Sequence, residues 1–318
     1  MREEKAVSVQ VIQDQMVIDR VMADLGDNTE GNTLMLIGGI HGNEVMGLAA
    51  IRNVVSQIVD QNIRVNGRIF ALTGNMEACR LGQRYLYKDL NRQWNRDNID
   101  ALHYNKLDSR HTEYHEMEVI YHHLQEAIGS CKNRLILADL HTTSSQTSPF
   151  IVTHLDEQCL SFSNHFPLPV IAGIAGFLDG TLFGYINDLG HTGLAFEAGQ
   201  HKSPFAKEIH ESFIWLALYN AQICPDLDEQ FVDFHRRTLL ENSVESGKRF
   251  KIISRYKISE DEAFTMKEGY SNFQRIKQDE VLGSNELGSV VSPYDGLIFM
   301  PLYQEKGDDG FFIIKEDG

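Results

Sequence analysis

The sequence has little positive charge and no long apolar run. Its 318 residues include 29 Lys and Arg against 45 Asp and Glu, which gives a formal net charge of -16 at pH 7. Nucleic acid and anionic membrane surfaces would repel such a chain, so neither is expected as its main partner. No apolar stretch approaches the ~18 residues that a transmembrane helix needs. The opening residues MREEK are not followed by a hydrophobic segment of signal-peptide type.

Cysteines are also few, and none forms a CxxC pair. The four are Cys79, Cys131, Cys159 and Cys224. Wide scatter of this kind argues against both a disulfide framework and a thiolate zinc site. The pattern is typical of reduced thiols, so a cytoplasmic protein is expected.

The pattern of apolar and polar residues changes near residue 225. Up to that point, short and nearly continuous apolar runs (33–40, 68–73, 134–140, 150–153 and 194–197) alternate with helical patterns (44–59, 112–128 and 207–223). This alternation predicts an α/β catalytic domain, residues 1–225, whose sheet is covered by helices on both faces. Residues 226–318 hold short alternating runs broken by Gly, Pro and Asp, which predict a smaller β-rich domain capping the site.

The first chemical signal is a glycine-rich turn, GGIHGNE, at the end of a predicted strand. It places His41 and Glu44 three residues apart as a helix begins, and a tight turn can aim both side chains at one point. HxxE alone is a weak motif, because the chain has three others: His115/Glu118, His123/Glu126 and His154/Glu157. Only the first pair lies at a strand end, where catalytic groups of open α/β sheets gather.

A third ligand is expected from a distant strand. The apolar run 134–140 ends in Asp139-Leu140-His141 and is followed by four hydroxyl residues, an unusual ending for a buried strand unless it faces a polar site. Two histidines and one glutamate leave an open position for water, which is the arrangement of catalytic rather than structural zinc. Asp139 lies on the same side of the strand as His141 and could orient its imidazole.

Two further segments supply candidate catalytic and binding residues. The run GLAFEAGQ places Glu197 at the end of another apolar strand, where it is a candidate general base. In RLGQRYLYKDLNR, Arg84 could polarise a carbonyl, while Asn91 and Arg92 could hold a carboxylate. A basic helical stripe is the alternative for this segment, although Gly82 and the Asp-Leu-Asn sequence disfavour it.

Taken in order, these motifs resemble the succinylglutamate desuccinylase/aspartoacylase family, a branch of the zinc carboxypeptidase fold. They are HGNE at 41–44, Arg84 seven residues before DLNR at 89–92, DLHTT at 139–143 and FEAG at 196–199. The resemblance implies one Zn²⁺ per chain on His41, Glu44 and His141, with Glu197 as general base. It also implies carbonyl stabilisation by Arg84 and substrate binding by Asn91 and Arg92.

The resemblance implies further that a tyrosine of the C-terminal domain reaches the substrate, for which Tyr303 is favoured over Tyr294. One departure is that aspartoacylases place an arginine ten residues before the catalytic glutamate, where this chain has Asn187. No Arg or Lys lies between His154 and His201. A second carboxylate clamp is therefore missing from the expected place, which puts N-acetylaspartate as substrate in doubt.

The function expected from the sequence is hydrolysis of an N-acyl amino acid by metal-activated water, the acyl group being succinyl, acetyl or similar. A zinc carboxypeptidase acting on small peptides would use the same residues, although a capping domain favours smaller substrates. A metal-binding member of the fold without activity is the third alternative. The expected partner is a small-molecule substrate; the oligomeric state and the choice among zinc-like metals stay open.

Overall fold

The computed structural model describes residues 18–26, 30–104, 106–108, 111–259 and 261–317. The helices are α1 (Met46–Asp60), α2 (Met76–Leu81), α3 (Arg96–His103), α4 (Thr112–Ser130), α5 (Glu157–Ser163), α6 (Leu182–Asp188), α7 (Ala206–Asn220) and α8 (Glu229–Glu241), with 3-10 turns at Leu90–Arg92 and Ile174–Gly176. The opening segment, on which the argument against a signal peptide rests, lies outside the described residues.

In the described part of the chain, eleven strands form one mixed sheet. They are β1 (Val21–Leu25), β2 (Asn32–Gly38), β3 (Gly67–Thr73), β4 (Leu135–Thr143), β5 (Phe150–Thr153), β6 (Val170–Ala172), β7 (Thr192–Gln200), β8 (Arg249–Lys257), β10 (Arg275–Ile276), β13 (Gly296–Phe299) and β14 (Asp309–Glu316). Their order across the sheet is β1-β3-β2-β4-β7-β5-β6-β8-β14-β13-β10. The central strands β3, β2, β4 and β7 are parallel, so their carboxyl ends meet at one edge.

Helices cover both faces of this sheet, as the continuous apolar strands predict. On one face, α1, α7 and α8 contribute a core that includes Val54, Phe213 and Leu239. On the other, α4 and α6 contribute a core that includes Met117 and Ile186. The fold class expected from the sequence, a carboxypeptidase-like mixed sheet flanked by helices with a β-rich C-terminal part, is confirmed.

The C-terminal part is β-rich and shares the main sheet. Strand β8 pairs in parallel with β6, and β14, β13 and β10 extend the sheet from there in antiparallel fashion. A separate three-stranded sheet consists of β9 (Thr265–Met266), β11 (Val281–Asn285) and β12 (Gly288–Val291). The division into units of 1–225 and 226–318 stays a prediction.

Two predicted strand ends lie further along the chain than expected. β4 continues through Thr143 and β7 through Gln200, because the two strands remain paired beyond the apolar runs. His141 and Glu197 therefore lie within paired strands, where they are direct neighbours in register. No helix in the described part of the chain combines the length and apolar character needed to cross a bilayer. A cytoplasmic location stays a prediction.

Candidate metal centre

The turn that follows β2 owes its shape to a close backbone approach. A Cβ added to Gly42 would lie 2.0 Å from the backbone carbonyl carbon of Ala78, so only glycine fits there. The Gly42 amide donates to the Arg84 carbonyl at 3.1 Å, which ties the turn to the segment carrying that arginine. The turn closes with the Glu44 amide donating to the His41 carbonyl at 3.0 Å. His41 and Glu44 thereby point to the same side.

His41, Glu44 and His141 converge as predicted from the motifs. The candidate ligand atoms of these three buried residues all lie within 4.8 Å of one another. Nδ1 of His41 lies 3.0 Å from Oε1 of Glu44, and Nδ1 of His141 lies 3.0 Å from Oε2. Each imidazole thus presents Nδ1 to a common centre and turns Nε2 outward.

Carboxylates contact both outward-facing nitrogens. Asp89 Oδ1 lies 3.0 Å from Nε2 of His41. Asp139 Oδ2 lies 2.8 Å from Nε2 of His141 as an ion pair, although neither Asp139 oxygen has an aligned hydrogen-bond donor among the described residues. Carboxylates in these positions fix the orientation of a ligating imidazole and increase its basicity.

Buried negative charge dominates the centre. Burial opposes ionisation of Glu44, but His41 and His141 outweigh it and hold the pKa of this carboxyl well below its ordinary value. Burial likewise acts against Asp89, yet His41 holds its pKa well below the ordinary value. Burial disfavours the imidazolium form of His141, whereas Asp139 and Glu44 raise its pKa well above the ordinary value. The surroundings therefore favour a cation at this position.

The donor set suits a divalent ion of the zinc type. Zinc accepts imidazole nitrogen and carboxylate oxygen at about 2.0–2.2 Å, and ligand atoms at that distance from one centre fit the observed separations. His41, Glu44 and His141 would hold the ion, and the bound ion would supply Lewis acidity beside the pocket. Whether an ion binds there stays a prediction.

Glu197 lies beside this cluster with one carboxylate oxygen unoccupied. Its backbone pairs with that of His141 on the neighbouring strand. The side chain is buried, and Oε2 has no hydrogen-bond partner among the described residues. Burial is the main reason that the pKa of Glu197 rises to about 8, with the charge of Glu44 adding to the rise. A carboxylate with a raised pKa is suited to accept and return a proton.

Arg84 and Arg92 are both paired with carboxylates of the chain, and their roles in catalysis and substrate binding stay predictions. Arg84 donates to Glu44 at 3.2 Å and to Asp89 at 3.2 Å. Arg92 Nη2 donates to Asp309 at 2.8 Å, while its buried Nε has no hydrogen-bond partner among the described residues. Asn91 connects this segment to the start of α6, because its Oδ1 accepts a hydrogen bond from the Leu182 amide at 2.9 Å.

The segment from residue 83 to 92 forms no basic helical stripe. Helix α2 ends at Leu81, with Gly82 in the left-handed conformation at φ 62°. A loop leads from there to Asp89, whose side chain caps the 3-10 turn by accepting from the Asn91 amide at 2.9 Å. Glycine and the aspartate cap are therefore the local reasons that this segment reaches the site as a loop.

A pocket borders the centre, and its lining side chains divide by chemistry into a polar half and an apolar half. The polar half includes His41, Glu44, Arg84, His141 and Glu197, together with Asn91, Thr142, Thr143, Ser144, Ser145, Thr181, His201 and Gln304. The apolar half includes Val152, Ile174, Leu178, Phe183, Ala195 and Phe312. Arg92, Asp308 and Asp309 line the same pocket. Residues 300–302 also line the pocket, so the C-terminal part of the chain contributes to its wall.

Neither tyrosine proposed from the sequence lines this pocket. The Tyr303 hydroxyl donates to the Lys267 carbonyl at 2.9 Å and accepts from the Tyr270 amide at 3.0 Å, in an adjoining cavity. Tyr294 is half exposed. A role for Tyr303 in substrate binding stays a prediction, and it would require this residue to move.

The other HxxE pairs lie away from the centre. His115 and His123 are on α4, each about 4 Å from the glutamate three residues later. His154 follows β5, outside the pocket. Among the described residues, His41, Glu44 and His141 form the only group of three or more His, Cys, Asp or Glu side chains able to share an ion.

The structure adds residues that the motifs did not single out. Asp89 is the first residue of DLNR, so its place beside His41 could have been sought from that motif. His201 follows β7 and lies 2.7 Å from the Thr142 hydroxyl in the pocket wall, a strand-end signal like that of His141. Asp309 arrives from a distant strand, and no local pattern predicts it.

Comparison with known proteins agrees with this geometry. A model of the succinylglutamate desuccinylase/aspartoacylase catalytic domain matches residues 30–218. A succinylglutamate desuccinylase of Pseudomonas aeruginosa is 34% identical over 71 residues, or 22% of this chain and 21% of that protein. A probable aspartoacylase of Acaryochloris marina is 34% identical over 112 residues, or 35% of each chain. The matches thus span between a fifth and about a third of these curated relatives.

Solved structures share the fold over nearly the whole chain. A succinylglutamate desuccinylase from Vibrio parahaemolyticus superposes with a TM-score of 0.65 at 14% identity, covering 100% of this chain and 96% of that one. The product-bound ectoine utilization protein EutE (DoeB) from Ruegeria pomeroyi gives a TM-score of 0.65 at 16% identity, covering 92% and 87%. With the family model matching more than half of its length, the chain belongs to the succinylglutamate desuccinylase/aspartoacylase family.

Proposed function

We propose that this protein is a zinc-dependent amidohydrolase that removes the acyl group from an N-acyl amino acid. The observation that carries the proposal is the meeting of His41, Glu44 and His141 beside the unpaired oxygen of Glu197. Family membership supports the reaction class, and curated relatives are named for desuccinylation and aspartoacylation. When bound, zinc supplies Lewis acidity that acidifies water and polarises a carbonyl.

Glu197 acts as general base and then as general acid. Its carboxylate removes a proton from the attacking water, and the water oxygen bonds to the amide carbon. As the carbon–nitrogen bond breaks, the same carboxyl returns the proton to the leaving nitrogen. The products are a carboxylate and a free amine. Burial keeps the proton affinity of Glu197 high enough for both transfers.

Arg84 and Arg92 bind and stabilise the substrate. The Arg84 guanidinium borders the cluster and stabilises negative charge that develops on the carbonyl oxygen. Arg92 binds the substrate α-carboxylate through its Nε, which lies 4.0 Å from Asp308 Oδ1 and makes no hydrogen bond among the described residues. Asn91 orients this part of the site through its bond to the Leu182 amide.

The proposal is tested with purified protein and a panel of acylated amino acids. Formyl, acetyl and succinyl derivatives are compared with dipeptides, and bound metal is measured in the same samples. We expect about one zinc ion per chain and hydrolysis of the acyl amino acids that chelation abolishes and added zinc restores. Faster cleavage of the dipeptides would identify a carboxypeptidase instead. Stoichiometric zinc without hydrolysis of any compound would refute the enzymatic proposal.

A further inference from the structure

Each cation that lines the pocket is already paired with carboxylates of the chain. Arg84 and Arg92 are the only Arg or Lys side chains lining the pocket among the described residues. Arg84 is paired with Glu44 and Asp89, and Arg92 with Asp309. Two cations therefore face several acids, and a substrate with two carboxylates finds no second positive partner.

Arg255 on β8 contacts the same two aspartates as Arg92, and its donors are occupied. It donates to Asp309 at 2.5 Å and to the Phe177 carbonyl at 2.6 Å, and it contacts Asp308 at 3.4 Å. These bonds anchor the segment around Phe177, which follows the 3-10 turn of the apolar half. Arg255 thus supports the pocket wall instead of offering a free guanidinium.

Asn187, at the position where aspartoacylases carry a second arginine, also has a structural task. Its Nδ2 donates to the Gly193 carbonyl at 3.1 Å, and its Oδ1 accepts from the Gly193 amide at 2.5 Å. Oδ1 accepts in addition from Cys159 Sγ at 3.1 Å. These contacts tie α6 to the start of β7, so Asn187 does not serve the pocket.

Apolar side chains stand next to the proposed base. Ala195 precedes Glu197 by two residues on β7, so both side chains project from the same face of the sheet. Val152 is directly opposite Ala195 on β5. Phe183 of α6 and Phe312 of β14 complete this wall, and both are buried. A group bonded close to the scissile amide would contact these carbons.

We infer that the pocket selects N-acyl amino acids with a single carboxylate and an apolar remainder. It rejects a second carboxylate on whichever part of the substrate, side chain or acyl chain, enters the apolar half. This rests on the proposed function. A carboxylate placed against the apolar half would lose its hydration without gaining a partner. An isosteric branched alkyl group would instead remove apolar surface from water there.

The test uses pairs of compounds that differ only in this group. N-acetyl-leucine is compared with N-acetylaspartate for the side chain, and 4-methylpentanoylglycine with succinylglycine for the acyl chain. We expect kcat/KM to favour the alkyl member by at least about 100-fold in one or both pairs. The pair that shows the difference identifies which part of the substrate enters the apolar half. Ratios near one, or preference for the acid in both pairs, would overturn the inference.

A charge placed in the wall should reverse the selection. Leu178 is in the apolar half, and Leu178→Arg should lower the alkyl-to-acid ratio by at least about tenfold, whereas the uncharged control Leu178→Gln should not. Equal ratios in the two variants would contradict the assignment. Should Leu178→Arg fail to fold, the wild-type ratios decide alone.

Binding measurements separate this inference from the proposed reaction. Calorimetric titration of the Glu197→Gln variant with N-acetyl-leucine and N-acetylaspartate reports recognition without turnover. Tighter binding of N-acetyl-leucine, with no hydrolysis by the wild type, would refute the proposed reaction but support the inferred selectivity. Hydrolysis by the wild type, with tighter binding of N-acetylaspartate, would refute only the inferred selectivity.

Discussion

The two halves of the pocket are built from different parts of the chain. Most of the polar half comes from short motifs at the ends of parallel strands and the turns that follow them, and its side chains contact each other at about 3 Å. The apolar half is gathered from β5, β7, α6, β14 and a 3-10 turn. The polar half therefore carries the motifs that the chain shares with the family, whereas the inferred substrate selection rests on the apolar half.

Removing a metal ligand should have the largest effect. We expect His141→Ala to lose bound zinc and to bring hydrolysis down to background, because two donors hold the ion far less tightly than three. Metal content by atomic emission and turnover of the best substrate check this. His115→Ala is the matched control, since His115 belongs to an HxxE pair on the exposed side of α4. Retained zinc in His141→Ala would remove this residue from the centre.

Replacing the base should affect turnover without affecting metal. Glu197→Gln keeps the shape of the side chain but cannot accept a proton, so we expect kcat to fall about 10²–10⁴-fold. Zinc content should stay at the wild-type level, since Glu197 is not among the proposed ligands. Glu208→Gln, on the exposed side of α7, serves as control. A variant retaining most of its rate would show that another group moves the proton.

Removing the charge beside a zinc ligand should affect metal binding less than removing the ligand itself. Asp89→Asn removes the charge beside Nε2 of His41, and we expect zinc affinity to fall about 10–100-fold. Competition with a chromophoric chelator measures the affinity. Asp100→Asn, on the exposed face of α3, is the control. Unchanged zinc affinity would mean that the charge of Asp89 does not contribute to metal binding.

Substitution in the apolar half should act on recognition. Phe183→Ala should raise KM for an apolar substrate about tenfold and change kcat much less, because the lost contacts are made equally in the ground and transition states. It should also cost about 3 kcal/mol of stability, as expected for a buried phenylalanine. Steady-state kinetics and urea unfolding test both effects. Phe234→Ala, on an exposed position of α8, is the control. A fall in kcat with unchanged KM would show that Phe183 contributes to the chemical step instead of to substrate binding.

The sequence determined much of the architecture and the chemical identity of the centre. Hydrophobic periodicity predicted the central strands and the long helices, because burial imposes that pattern locally. His41 and Glu44 could be found together, since they share one turn whose glycine permits the close approach to Ala78. His141 and Glu197 were found at strand ends, although only the pairing of β4 with β7 shows that they are neighbours.

Only the tertiary structure decided which carboxylates pair with the arginines of the site and which side chains lie next to Glu197. Arg92 and Asp309 are 217 residues apart, and no local pattern connects them. Arg255 and the apolar half depend in the same way on how β8 and β14 join the main sheet. Motifs record chemistry that is local along the chain, whereas ion pairing and pocket shape depend on contacts between distant segments. For that reason the sequence indicated the type of reaction, and the fold was needed to infer its substrate.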